Sequence, residues 1–511
     1  MDAIECRSCG WLGLAFLAFA CGPAFACGPA PEGSSATTGA TEGATTADSE
    51  ASAATATGGG TDSDTDASTG EATTGTTGDP SGPPLPTPCA LTRVDGDARI
   101  PHGLGYVGGT SLRALTPGDP DTDAPARVMT TRLERKGDEH GEFAARAFTL
   151  GPAFPDDVEA AGPALSLTKS GHDLSRMVEL PGARLGYLWT GDPDGTNAYD
   201  TFYSALDADA WSVDGTVEVA SGTNPNFVDL LLVPSGAEHL ATFTTDAYGE
   251  TPHDLASGLS LGLLDADGGP LAPATPLTAA APLPGGGART FWAGDRVAAA
   301  IANNACDEGS PLCSPHAIVL ARPSAPDTHG AAAEGFAATH VIAGLESSAY
   351  VSRPRILPRF GLNWLLWYEG AGPAAADAHR TLRAQVLDET GAPIPWPPGA
   401  RTAAPIDYLV DQVQDAWPTA LVTEFGVTAV QRTIHLDPVE LDSVPTFEVH
   451  HFDFNLEPLG EPIYIALDSF ESYYPGMTAL AHPRGLLLAW DEATDDAREL
   501  RMTLLVCAPG G

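Results

Sequence analysis

The stretch NWLLWYE, Asn363–Glu369, is followed after a Gly/Ala/Pro-rich gap by TLRAQVLDETG, Thr381–Gly391. Each run has the length of one strand, and DETG supplies the residues of a tight turn. Just upstream, RILPRF (Arg355–Phe360) leads across a short turn into the first run. The unit is a three-stranded meander with room for a fourth strand, and no convincing long amphipathic helix interrupts it.

The same unit recurs along the chain. ARVMTTRL precedes EFAARAFTL, RLGYLWT precedes TFYSALDAD, and HLATFTT precedes LSLGLLDADGG. RVAAAIA precedes HAIVLA, GVTAVQRTI precedes FEVHHFDF, and LLLAWDE precedes LRMTLLV. The leading strands begin near Arg127, Arg184, His239, Arg296, Asn363, Val427 and Leu486, roughly 60 residues apart.

Seven meander units at near-even spacing, from Cys89 to Gly511, resemble a degenerate β-propeller of the kind found in bacterial surface proteins. The expectation is an all-β fold, a β-propeller of seven blades over residues 89–511, after a signal peptide and a disordered linker. Radial repetition is how such sheets avoid exposed edges. An array of three or four β-sandwiches is the rival, disfavoured because independent sandwiches would show linkers between them.

The N-terminus sets the address. Trp11–Ala20 is an uncharged apolar run, too short to span a bilayer and of the right length for a signal-peptide core. The hexad AFACGP occurs twice, at Ala18–Pro23 and Ala24–Pro29. Ala18-Phe19-Ala20 before Cys21 resembles a lipobox, which implies lipidation of Cys21, removal of residues 1–20 and an outer-membrane location. Leucine is usual where Ala18 stands. Cys27 has the same local triplet, but Pro23 breaks any helix leading to it, so Cys21 is the expected site. Plain secretory cleavage at Ala-x-Ala is the other route, and both routes place the chain outside the cytoplasm.

Residues 21–88 read as a tether. From Gly28 to Pro88 there are nine acids, no Lys or Arg and almost no large apolar residue, so burial cannot offset ordering entropy. Across the whole chain 67 acids face 25 basic residues, a net charge of −42. That balance disfavours nucleic acid and basic-patch membrane docking, leaving lipid as the membrane contact.

Outside the leader four cysteines remain, an even number suited to an oxidising compartment. A Cys89–Cys507 bond would latch the first strand to the last blade, and Cys306–Cys313 would staple the fourth hairpin. Neither pair has zinc-ligand spacing.

Catalytic signatures are missing: no H-E-x-x-H, no G-x-S-x-G and no phosphate-binding glycine loop. The connections between the two strongest strands of each unit are acidic instead. They carry Glu134, Asp192, Asp194, Asp246, Asp307, Glu369, Asp437, Asp491 and Glu492, with His140, His253, His316 and His379 among them and Arg380 as a rare cation. Such a rim would bind cations or a partner, although acids in exposed hairpins are ordinary. Calcium is the candidate ion, at Asp192, Asp194, Asn197 and Asp200 in GDPDGTNAYD, a set without the bidentate glutamate of a full calcium loop. In VHHFDF, His451 and Asp453 share a strand face, which packing explains. No catalytic residue is assigned. The reading is a monomeric, surface-anchored binding module for a protein or glycan at the cell surface. The rivals are a secreted propeller hydrolase acting on glycans and a structural part of an envelope assembly.

Overall fold

The computed structural model describes residues 85–507 apart from short segments, mostly connections between strands. Among these are 102–105, 117–125, 136–141, 192–199, 247–258, 277–287, 304–313, 324–335, 371–379, 411–418, 437–442, 468–476 and 494–497. Cys21, Cys27, Cys306, Cys313, the tether and most of the acidic connections lie outside the described residues.

The run Asn363–Glu369 lies in a second strand, Leu362–Gly370, and its burial explains its composition. Trp364 and Leu366 pack into one apolar cluster with Val427 and Phe452. Leu365 and Trp367, pointing the other way, join a second cluster with Ala298 and Ile318. A strand covered on both faces reads as a continuous apolar run rather than an alternating one. Trp364, Trp367 and Tyr368 are essentially inaccessible to solvent.

The strands form seven antiparallel sheets. Sheet 1 comprises Tyr106–Thr116, Ala126–Arg135, Glu142–Leu150 and Val158–Ala160, with Leu165–Ser166 at its margin. Sheet 2 is Gly171–Leu180, Arg184–Gly191, Asp200–Asp207 and Ser212–Ala220. Sheet 3 is Pro225–Leu232, His239–Asp246, Leu259–Asp265 and Pro270–Pro276. Sheet 4 is Ala288–Ala293, Arg296–Asn303, Ala317–Pro323 and Phe336–Ala343. Sheet 5 is Tyr350–Val351 with Arg355–Arg359, then Leu362–Gly370, Arg380–Leu387 and Ile406–Val410. Sheet 6 is Thr419–Thr423, Gly426–Leu436, Ser443–Phe452 and Ile463–Ala466. Sheet 7 is Thr478–His482, Gly485–Ala493 and Arg498–Cys507.

Each first strand contacts the first strand of the next sheet, and that of sheet 7 contacts that of sheet 1, so the ring closes. The fold is a β-propeller, with every first strand innermost. Leading strands expected near Arg127, Arg184, His239, Arg296, Asn363, Val427 and Leu486 are the second strands of the seven sheets, each start matching to within a residue.

The core is a set of seams between neighbouring sheets. Leu188 and Tyr203 of sheet 2 meet Leu230 and Leu264 of sheet 3, and Val430 and Phe447 of sheet 6 meet Leu486 and Trp490 of sheet 7. Val128 and Phe148 of sheet 1 meet Leu487 and Met502 of sheet 7, which welds the ring shut. Fully burying one such side chain contributes roughly 1.5–3 kcal/mol.

Closure also uses the N-terminal side of the described chain. Leu91–Arg93 pairs with Leu505–Cys507, and Ala98–Pro101 pairs with Glu499–Met502, both on the outer side of sheet 7. The disulfide Cys89–Cys507 joins residues 418 apart in sequence, as expected. His451 adds a strap. Its Nδ1 lies 2.7 Å from the Thr428 hydroxyl, and its Nε2 donates to the carbonyls of Cys89 and Phe425 at 3.0 and 3.1 Å. Burial holds its pKa below the ordinary histidine value.

Recurring aspartates make the turns between third and outer strands. Asp388 Oδ1 accepts from the backbone N–H groups of Thr390 and Ala392, and Asp453 and Asp265 repeat the arrangement. Asp453 is thus a turn former, a role that removes it from any shared site with His451. Gly268 completes one such turn at φ +84, where a Cβ would meet the Tyr203 ring of sheet 2 at 2.0 Å.

Candidate functional site

Because the seven sheets share one strand order, all second-to-third connections leave the ring at the same end. Several acids assigned to those connections are instead strand residues. Glu369, Asp491 and Glu492 are buried within second strands, and Arg380 is buried at the start of a third strand. The expectation of an exposed rim fails at these positions because the strands run further than the apolar pattern suggests. The Glu369 and Glu492 carboxylates are held by groups on their own sheets. Trp367 Nε1 donates to Glu369 at 2.7 Å, and Arg383, directly opposite Trp367 in the ladder, donates to the same Oε1 at 2.7 Å. The arrangement recurs in sheet 7. Trp490 Nε1 donates to Glu492 at 3.2 Å, and Arg501, opposite Trp490, lies 2.9 Å from that carboxylate. Arg383 also reaches Asp407 at 2.7 Å and the Ala343 carbonyl of sheet 4 at 3.0 Å, so it rivets two sheets together.

The proposed calcium set is only partly described. Asp200 opens a third strand opposite Gly191, whereas Asp192, Asp194 and Asn197 lie outside the described residues. Among the described residues no group of three or more His, Cys, Asp or Glu is placed to hold a metal. His316 is half-buried at a turn with φ +57, its carbonyl accepting from Gly344 N at 2.9 Å.

A second polar cluster lies in the seam between sheets 5 and 6. Gln431 Nε2 sits 3.2 Å from Glu448 Oε2 and 3.0 Å from His450 Nε2, and His450 is 3.2 Å from Glu448. The Tyr368 hydroxyl donates to Gln431 Oε1 across the seam. Glu448, His450 and Gln431 are all buried. At the outer side the Tyr464 hydroxyl bonds Glu448, and burial together with that carboxylate raises the Tyr464 pKa. Burial first, then Glu448 and Glu461, does the same for Tyr408. This cluster satisfies itself and fixes the seam.

The innermost strands carry a set of residues at equivalent register positions. Four residues past the first hairpin, the second strands of sheets 2, 4, 5, 6 and 7 present Leu188, Ala300, Leu366, Val430 and Ala489. Their inner-strand partners are Arg176, Arg289, Arg355, Thr419 and Thr478. Cross-seam bonds place two more residues at or beside that level. Arg113 of sheet 1 donates to the carbonyl of Met177, next to Arg176, at 2.9 Å. Asp229 of sheet 3 accepts from both N and Oγ1 of Thr290, next to Arg289, at 3.0 Å each. Thr419 Oγ1 likewise reaches the Met477 carbonyl, next to Thr478, at 3.0 Å.

Three arginines, one aspartate and two threonines therefore share one level around the inner strands, with Arg113 bonded beside it. Arg113 and Arg355 are half-buried and Arg289 is buried. In a chain with only 25 basic residues, three arginines at one register level and a fourth bonded beside it concentrate cationic residues on the inner strands. Guanidinium groups match carboxylates in planar, two-pronged geometry, so an anionic group is what a belt of them can hold. The sequence reading passed over it, because the inner strands are the least regular runs and only ladder register reveals the equivalence.

No family model matches the chain, and no curated protein matches it. Solved structures that resemble it include an α-L-arabinofuranosidase of Fusarium graminearum in complex with an iminosugar inhibitor (9% identity, 82% of this chain and 98% of that one, TM-score 0.38). Others are a subtype N11 neuraminidase-like protein of A/flat-faced bat/Peru (12%, 84% and 96%, 0.33) and the Cps50 (Swd1) β-propeller domain of Myceliophteria thermophila (11%, 81% and 99%, 0.37).

Proposed function

We propose that this chain is an extracytoplasmic, lipid-anchored binding module, acylated at Cys21, monomeric, and carried on the tether of residues 21–88. Its propeller takes a carboxylate of a surface glycan or protein onto the inner-strand belt and does not transform it. The observation that supports this most is the shared register of Arg176, Arg289 and Arg355 on three inner strands, with Arg113 bonded to the Met177 carbonyl beside them. The −42 charge of the whole chain supports selectivity, since it repels nucleic acid and dense polyanions while a single carboxylate loses little in approaching. Acids in the connections beyond the described residues would draw a cationic flank of the same partner, or calcium.

The test uses the full chain with an oligohexuronate and its methyl ester. The acid is expected to bind, its affinity to fall at least tenfold in R289Q or R355Q, and binding to weaken as salt rises. Equal affinity for the neutral ester, no loss in either variant, or consumption of the ligand would overturn the proposal. Labelled palmitate in a Gram-negative host should be lost in C21S and kept in C27S.

A further inference from the structure

At the opposite end of the ring, where the first hairpins and the third-to-outer turns lie, sheets 4 and 5 leave an open cleft of about 450 Å³. Trp292, Pro358 and Phe360 supply its apolar walls, and Arg359, Asn363 and Glu389 its polar groups. Phe360 and Gly361 form the two-residue hairpin turn, both at positive φ, +56 and +70. Such a turn favours Asn-Gly, and a bulky aromatic residue there costs about 1–2 kcal/mol relative to its relaxed conformation. One edge of the ring packs against Phe454, 5.5 Å between centres, and the residue also lines the cleft.

The polar groups are arranged around that ring. Asn363 donates through Nδ2 to the carbonyls of Trp292 and Asp388, at 3.5 and 3.2 Å, which fixes the amide and leaves Oδ1 as its acceptor. The Arg359 guanidinium lies 5.8 Å from the Phe360 ring centre, and Glu389 is exposed on the facing turn, whose carbonyl accepts from Gly294 N at 2.5 Å. Among the described lining residues one cation, Arg359, and one anion, Glu389, balance.

We infer that this cleft binds a neutral oligosaccharide. The C–H faces of sugar rings stack on aromatic and proline surfaces, and vicinal hydroxyls bridge the paired donors and acceptors that a carboxylate, a carboxamide and a guanidinium present. The cleft stands at the other end of the ring from the acidic connections; Arg359 and Trp292, which line it, lie four and three residues along the inner strands from Arg355 and Arg289.

The full chain is screened on an array of neutral oligosaccharides, and the best ligand is measured by calorimetry against F360N and E389Q. F360N suits the turn but gives up the edge-on contact of the ring with Phe454, 5.5 Å between centres, so it should lower the melting midpoint modestly while weakening saccharide binding at least tenfold at temperatures where the variant stays folded. E389Q, on an exposed turn, should weaken it several-fold with no change in folding. Oligohexuronate binding at the belt should be unchanged in both. If F360N is unfolded at the assay temperature, then E389Q alone decides. An array without a binder, or variants that bind as wild type, overturns the inference.

Discussion

Replacing Arg383 with methionine should be one of the most damaging single changes in the propeller. The Glu369 and Arg383 side chains are 1% and 7% exposed and 2.7 Å apart. Removing the cation takes its charged partner from a buried carboxylate that also accepts from Trp367 Nε1. Breaking a buried pair from one side costs about 3–5 kcal/mol. The second contact, to the 42%-exposed Asp407, adds less than about 1 kcal/mol. Domain stabilities run about 5–15 kcal/mol, so R383M should forfeit a third or more of the total. Urea denaturation of the full chain followed by tryptophan fluorescence gives the loss, and E369Q/R383M gives its origin. Neutralising the carboxylate while keeping an acceptor for Trp367 should recover half or more of the loss. A single-variant cost under about 1 kcal/mol, or a double variant no better than R383M, would refute the reasoning.

Other outcomes follow from the same structure. C507S should lower stability by a few kcal/mol; the chain-entropy model sets a ceiling of about 6 for a 418-residue separation, and reductant titration of the wild type should reproduce the change. R501M should mirror R383M in sheet 7, since Trp490, Glu492 and Arg501 repeat the same triad; urea midpoints compare the two. Stability should fall as pH drops from about 6.5 towards 4. Burial and then the Arg484 charge depress the His482 pKa to about 4, so in that window the unfolded chain takes a proton that the folded chain refuses. Its half-buried setting limits the effect to roughly 1–2 kcal/mol, and H482Q should flatten the midpoint-against-pH curve by that amount. His451, also depressed, acts in the same direction.

The fold was legible because the second and third strands are buried on both faces and so stand out as apolar runs such as NWLLWYE and LLLAWDE. The latch was legible because Cys89 and Cys507 bracket the module. Glu369, Asp491 and Glu492 were misplaced into loops, since a sequence pattern scores a carboxylate as exposed and cannot see an arginine across the ladder. The arginine belt was illegible for another reason. HDLSRMVEL and ARTFWA share no pattern, and Arg176 and Arg289 become equivalent only once each strand is paired with its neighbour. Recurring LDAD, LDETG and FDFN mark the third-to-outer turns, and DETG was legible as a turn from its residues.

The Cys89–Cys507 bond also decides how the ring bears a pull. Tension arriving along the chain before Cys89 would, without the bond, peel the short strand Leu91–Arg93 away one hydrogen-bonded pair at a time. With the bond, the load passes to the end of Arg498–Cys507, a strand laddered on both sides. Force directed along that strand meets its hydrogen bonds together, in shear, and the weakest edge of the molecule is spared.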